Sequence, residues 1–291
     1  MSITLEQVTQ NVITTKGLFA IPVEAFQFDW NILNRIFVST FKKYERFCPL
    51  IKTLQTFGGN PYQMPDDCIY PRSIAFGNAA MIAPQAVTVD SQSWTYDRTT
   101  KMLSVFTNTG SSAPFKVQYL ARHPEIEVES DVEPFEVFEG EEEVEIKLNC
   151  VPNPSTLTIA KGDSTLAIKS RGRHCWQFEG TLGTAELDLT SLVLTITQTD
   201  TSAGMININY KGQYKCFGEI AEDDAEFFET WYAANILTSL GNIKAIVRMD
   251  AMPNSISADN LQNQGQALME DVLNWQKEKQ FWFRGYMGSR T

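Results

Sequence analysis

Apolar residues recur at helical spacing near both ends of this chain and at every second position through its middle. Leu5, Val8 and Val12 keep a helical period over a short first segment. Lys16 to Phe28 (KGLFAIPVEAFQF) is apolar but irregular, with Pro22 inside it. It reads as an extended arm that either folds back on its own core or lies on a neighbour. Asp29 then makes a good N-cap, and Ile32, Leu33, Ile36, Phe37, Thr40, Phe41 and Tyr44 share one face of a helix from Trp30 to about Arg46. Pro49 stops it.

From Tyr62 the texture changes to strands. Pro61, Pro65, Pro71 and Gly58-Gly59 punctuate a loop, with short apolar runs at Cys68–Tyr70 and Ile74–Phe76. The clearest hairpin joins SWTYD to KMLSVFT through Arg98-Thr99-Thr100, and FKVQYLAR returns as a third strand with Phe115, Val117 and Tyr119 on one face. The pattern predicts a small meander whose apolar face needs helices to cover it. After Glu145 the chain is almost purely β up to Lys211. Val144, Ile146, Leu148 and Cys150 point inward, Lys161-Gly162-Asp163 turns a hairpin, and Trp176 with Phe178, Leu192 with Leu194 and Ile196, and Met205–Tyr210 mark further strands. Short strands at this spacing predict a sandwich or barrel.

The last seventy residues predict two amphipathic helices. The first opens on acidic residues, which suit a helix N-terminus. It carries a broad stripe through Phe227, Phe228, Trp231, Tyr232, Asn235, Ile236, Leu237 and Leu240, with Gly241 as its C′ residue. IKAIVRM either prolongs that helix or breaks from it, and Pro253 ends it. In the second helix Leu261, Gly265, Leu268, Val272, Trp275 and Trp282 follow an a/d period, with Gly265 permitting a close crossing. A tight link over 249–257 would set the two antiparallel.

Charge changes this picture in one place. The net charge of the 291 residues is −11, from 24 basic and 35 acidic side chains, and eleven of the acidic ones lie between Glu125 and Glu145. That run is solvent-exposed and linker-like, and the C-terminal tail is mildly basic; such asymmetry suits docking of unlike surfaces in an assembly. A phosphate-tracking protein needs clustered Lys and Arg, so direct nucleic-acid binding is not expected. No run of eighteen apolar residues and no signal-peptide pattern is present, so neither a membrane partner nor export is expected. Five cysteines without CxxC spacing read as reduced thiols of a cytoplasmic protein.

Candidate chemistry is sparse. His123 and His174 are the only histidines, and neither has a second His or a carboxylate at ligand spacing. No G-x-S-x-G elbow occurs, and GNPY, KGD and RGR are not phosphate-cradling loops. Asp66-Asp67 and Asp223-Asp224 read as solvated loop pairs. Catalytic, cofactor-binding and metal residues are therefore assigned to none, and no cofactor is expected. The unspent feature is the aromatic end, WQKEKQFWFRGYM, which one helix face cannot bury whole. Together with the apolar arm it supplies the candidate interface: Phe19, Phe26, Phe28, Trp275, Phe281, Trp282, Phe283 and Tyr286.

Two resemblances follow from these motifs. SLVLTITQTDTSAGMININYKG resembles the end of an immunoglobulin-like domain: Leu194, Ile196 and Gly204 match, whereas Ile206 and Ile208 stand where the Tyr and second Cys would be. Cys150 takes the place of the first Cys, so the inter-sheet disulfide is absent. With residues 129–217 set aside, VQYLARHPEIE runs almost directly into EIAEDDAEFFETW. The remaining frame is similar to small virion structural proteins of tailed bacteriophages. The similarity rests on an N-terminal helix, a loop holding Tyr62, Pro65, Asp66 and Asp67, a strand ending in Tyr119, Ala121 and Arg122, and a last helix with Gly265-Gln266 and a Trp-rich end.

The expected fold class is thus α+β: a small antiparallel sheet packed by N- and C-terminal helices, interrupted by an inserted all-β immunoglobulin-like sandwich. Residues 1–128 would be the first part of the frame, 129–217 the insertion, and 218–291 the helical completion of the frame. The resemblance implies a non-enzymatic subunit of the neck or tail baseplate, present in multiple copies in a ring. Its partners would be other virion proteins, and its place the virion, after assembly in the host cytoplasm. The alternative is a carbohydrate-binding or host-adhesion module with Trp94, Tyr96 or Trp176 as stacking platform. An enzymatic reading would need His123 or His174 in a pocket beside a carboxylate.

Overall fold

The computed structural model describes residues 1–15, 29–56, 60–76, 94–105, 115–246 and 258–286. Two helices come first, α1 (Leu5–Thr15) and α2 (Trp30–Phe47). α1 buries Leu5, Val8 and Val12, the positions its period picks out. Asp29 caps α2, its carboxylate accepting from the Asn31 N–H at 2.9 Å. Leu33, Phe37, Thr40, Phe41 and Tyr44 are buried, but Ile32 is exposed and Ile36 half-buried, so the buried stripe is narrower than its apolar pattern.

Six strands follow: β1 (Leu50–Thr56), β2 (Tyr62–Gln63), β3 (Cys68–Phe76), β4 (Trp94–Asp97), β5 (Met102–Val105) and β6 (Phe115–Ala121). They form two three-stranded sheets, ordered β1-β6-β3 and β2-β5-β4. The expected hairpin is β4–β5, with Trp94 opposite Val105 and Asp97 opposite Met102. The expected meander does not form, because β6 runs antiparallel between β1 and β3 instead of extending that hairpin. β1 lies outside the strands its sequence pattern predicts, since Lys52, Thr53 and Gln55 dilute its apolar positions. The two short runs at 68–70 and 74–76 merge into β3 with Pro71 inside. Pro71 is tolerated because β3 is an edge strand whose register shifts on either side of it.

The longer β region holds β7 (Glu125–Ile126), β8 (Phe135–Val137), β9 (Glu143–Lys147), β10 (Thr158–Lys161), β11 (Ser164–Arg171), β12 (Cys175–Gly180), β13 (Gly183–Asp188), β14 (Val193–Gln198), β15 (Gly204–Asn209) and β16 (Cys216–Phe217). Eight of these make one antiparallel sheet, ordered β8-β15-β10-β11-β12-β13-β14-β9, while β16 pairs with β7. The alternation is kept: Val144, Ile146, Leu148, Cys150, Trp176, Phe178, Leu192, Leu194, Ile196, Ile206 and Ile208 are all buried. At the β10–β11 turn Gly162 has φ 59°, the left-handed conformation a tight hairpin asks for. The fold class observed is therefore mixed, with helices and antiparallel sheets.

Helices α3 (Glu222–Ile246) and α4 (Ala258–Tyr286) close the chain. α3 runs past Gly241, which is buried inside it; packing outweighs the roughly 1 kcal/mol that a mid-helix Gly costs. A Cβ built on Gly265 of α4 would lie 2.8 Å from Thr238 Oγ1 and 3.1 Å from the Ala234 carbonyl, so the crossing is as close as the stripe predicts. Gln262 also reaches Asn242 at 3.2 Å, so α3 and α4 lie antiparallel.

The chain forms two compact units, residues 1–41 with 125–273, and residues 42–124 with 274–291. In the first, α1 and the start of α2 join α3 and the eight-stranded sheet. Phe37 meets Phe228 edge-on at 5.5 Å, Phe41 stacks on Phe217, and Trp30 Nε1 donates to the Leu189 carbonyl at 2.8 Å. In the second unit Met64, Cys68, Ile74, Leu103, Val105, Phe115, Val117, Tyr119 and Ala121 form the core.

Candidate interaction surfaces

The β4–β5 hairpin of the second unit lifts an aromatic group toward solvent. Asp97 fixes its turn by accepting from the Thr99 N–H at 2.8 Å and the Thr100 hydroxyl at 2.7 Å. Those hydrogen bonds, the Thr100 hydroxyl's first, hold its carboxyl below the ordinary range. Trp94 and Tyr96 are half-buried beside Tyr70, which is 39 % exposed; the centroids lie 6.0 and 5.9 Å from that ring. The Arg98 guanidinium sits 5.3 Å over Tyr70. The Tyr96 phenol is pushed up to about 12 by burial first and its hydrogen bond to Cys68 second. The structure thus brings Trp94 and Tyr96 together with Tyr70, a residue the sequence pattern did not single out. Trp176, the third stacking candidate, is core.

The neighbouring acidic pair is structural. Asp67 pairs with Lys52 at 3.1 Å and accepts from the Tyr119 hydroxyl at 3.4 Å, and Lys101 binds Asp66 at 3.1 Å. His123 is buried in the same unit: its backbone N–H donates to Glu45 Oε1 at 2.9 Å and its ring Nε2 lies 2.8 Å from the Cys48 carbonyl. A carbonyl only accepts, so that nitrogen carries the proton. His174 is exposed, and its carbonyl accepts from the Leu189 N–H.

The first unit offers a different surface. At one end of the eight-stranded sheet β8 pairs only with β15, Met205 facing Glu136 and Ile206 facing Phe135. Phe138 is 63 % exposed and Phe135 37 % exposed, amid Glu133, Glu136 and Glu139. On the outer face nearer β9, Glu143, Glu145, Glu186 and Asp188 line a broad polar concavity with Gln177 and Lys169. Lys169 pairs with Glu179 at 2.6 Å.

Of the candidate interface residues, Trp275 is buried in the second unit. Its ring lies near-parallel to that of Tyr44, with centroids 6.2 Å apart, and the Lys279 ammonium is 5.7 Å from it. Phe281, Trp282, Phe283 and Tyr286 continue the α4 backbone, but their side chains lie outside the described residues, as do Phe19, Phe26 and Phe28 entirely.

One buried group carried no sequence signal. Glu6, on α1, is 4 % exposed; its Oε1 accepts from the Val151 N–H at 3.1 Å, and desolvation pushes its carboxyl up to about 7. Burial, then the charge of Glu6, pushes the Cys150 thiol up to about 12. All five cysteines are free thiols. Among the described residues no group of three or more His, Cys, Asp or Glu side chains could hold a metal ion, and no helix is long and apolar enough to cross a membrane. No protein family, no curated protein and no solved structure matches this chain.

Proposed function

We propose that this chain is a structural subunit of a tailed-phage particle. It acts through protein–protein contacts in the neck or tail baseplate and carries an immunoglobulin-like module over 129–217. The observation behind this reading is the order of strand pairing. β9-β14-β13 and β11-β10-β15 have the order of the B-E-D and C′-C-F strands of such a domain, while β12, in the place of C″, also pairs with β13 and so joins into one sheet what such a domain keeps as two. Cys150 just past β9 and Ile208 on β15 are both buried, on the strands this reading takes as B and F, and with Ile208 in place of a second cysteine no disulfide joins them. The module is held to the two N-terminal helices, through Trp30 to Leu189, Tyr214 to Asn31 and Val151 to Glu6. That arrangement fits a domain presented rigidly by a frame. Mass spectrometry of purified particles of the encoding phage tests the proposal. Recovery at a fixed multiple of the other virion proteins is the expected result, and absence from the particles overturns it.

The exposed Tyr70, with Trp94 and Tyr96 half-buried beside it, favours a second reading, in which this chain also binds carbohydrate on the virion surface. Tyr70 is exposed with the Arg98 guanidinium over its ring, and Trp94 and Tyr96 stand tilted and edge-on beside it. A glycan array probed with the full chain and with Trp94→Ala separates the two: binding lost in the variant supports it, and no binding removes it.

A further inference from the structure

We infer that the β8 edge of the eight-stranded sheet is a docking surface for the cationic, aromatic C-terminal segment of a second copy of this chain. The inference rests on the reading of the chain as an assembling subunit, and names the surface that assembles.

Three observations carry it. β8 is the end strand, and among the described residues nothing pairs with its outer side. A sheet edge presents unpaired backbone groups, and this one adds two phenylalanines, Phe135 and Phe138, that the sheet leaves in water. Its surroundings are strongly anionic. Eleven of the 35 acidic residues lie between Glu125 and Glu145 with no Lys or Arg among them, so the rest of the chain holds 24 acidic and 24 basic residues. Six of these carboxylates, Asp131, Glu133, Glu136, Glu139, Glu141 and Glu142, flank β8, while Glu125 and Glu127 pair with Lys215 and Lys211 and Glu143 and Glu145 belong to β9 at the other end of the sheet.

Charge also selects the occupant. Two copies cannot pair β8 to β8, because Glu133, Glu136 and Glu139 would face their own equivalents. The partner surface must be cationic and able to cover phenyl rings. Residues 275–291 carry Lys277, Lys279, Arg284 and Arg290 against Glu278 alone, with four aromatic residues from Phe281 to Tyr286. Arg and aromatic side chains are those that dominate interface energetics. Of the other cationic runs, Lys169–Arg173 is engaged within its own unit, Lys169 with Glu179 and Arg173 with Asp29, and Lys42, Lys43 and Arg46 on α2 stand beside Phe41 and Tyr44, which are buried and offer no ring to a partner. An edge meeting a tail is a heterologous contact, which closes into a ring or propagates as a filament.

Sedimentation velocity of the full chain over a concentration series, at low and high salt, tests this. The variants are Phe138→Ser, the pair Glu136→Lys with Glu139→Lys, and the pair Lys277→Glu with Arg290→Glu. All the replaced side chains on the edge are exposed, and circular dichroism melts confirm folding of each variant. The wild type is expected to self-associate, less so at high salt. Each variant should raise the dissociation constant about tenfold or more, the loss expected of an anchor residue. Mixing the two charge-reversed proteins should restore association. A wild type that stays monomeric throughout, association unchanged by Phe138→Ser, or a mixture that fails to associate overturns the inference. Particle content is read separately, so a protein present in virions but monomeric alone removes this surface and leaves the proposed function standing.

Discussion

Glu6 Oε1 accepts the Val151 N–H at 3.1 Å, while Oε2 of the same carboxyl meets no partner among the described residues. A buried carboxylate held only by the backbone N–H groups of Glu6 and Val151 is costly, whereas a protonated carboxyl in the same place keeps its acceptor and sheds its charge. The charge of Glu6 is felt by Cys150, Tyr214, Cys216 and Tyr232, all of them neutral hydrogen-bonding groups.

Stability should therefore fall as pH rises. The folded carboxyl keeps its proton up to about 7, against an ordinary value of 4.5. Its contribution is whole below 4.5, is lost between 4.5 and about 7, and is level above that. The loss amounts to roughly 3 kcal/mol by linkage. Glu6→Gln, which keeps the acceptor without a proton to lose, should melt like the wild type at pH 4.5 and several degrees higher at pH 8. Equal melting at both values would remove Glu6 as the titrating group.

Gly265 sits where a methyl group has no room. A Cβ there would come within 2.8 Å of Thr238 Oγ1, whose hydroxyl already donates to the Ala234 carbonyl at 2.8 Å. Gly265→Ala should lower stability by about 1 to 3 kcal/mol through overpacking, overriding the helix-propensity gain of about 1 kcal/mol. Gln264→Ala, on an exposed position of the same helix, is the control and should be neutral or slightly stabilising. Urea titrations of the three proteins check this.

Lys161 is a buried cation at a hairpin end. Its ammonium donates to Gln198 Oε1 at 2.8 Å and the Asp200 carbonyl at 3.1 Å, and it also binds the Ser202 carbonyl. Lys161→Met keeps the apolar stem but orphans those acceptors, and should cost about 2 to 3 kcal/mol. Amide hydrogen exchange should show the 199–203 turn opening first.

Trp275 is packed inside the second unit, so Trp275→Ala should cost about 3 to 5 kcal/mol in chemical denaturation of the isolated subunit, and Trp275→Phe clearly less. Unchanged stability with impaired assembly would be the signature of an intermolecular role instead.

Much of the fold was legible in the sequence wherever a pattern repeats. The period of α1, the capping of α2 by Asp29, the strict alternation from Val144 to Cys150 and the turn at Gly162 are local preferences, and the structure keeps them. Less legible were β1, whose polar residues hide its strand, and the end of α3, where a buried Gly241 sits within the helix instead of terminating it. Of the surfaces, the acidic run was visible as charge, but its two exposed phenylalanines were not distinguishable from core residues by pattern.

The sequence alone determined the periodicities, the balance of charge and the places where backbone turns, because each depends on neighbours a few residues away. Tertiary structure decided that β6 lies between β1 and β3, that Trp275 faces Tyr44, that Glu6 meets Val151 and that β8 ends its sheet. Each of these joins residues far apart in the chain. Which partner a strand edge or a buried carboxyl finds is fixed by the packing of the whole unit, and no local pattern records it.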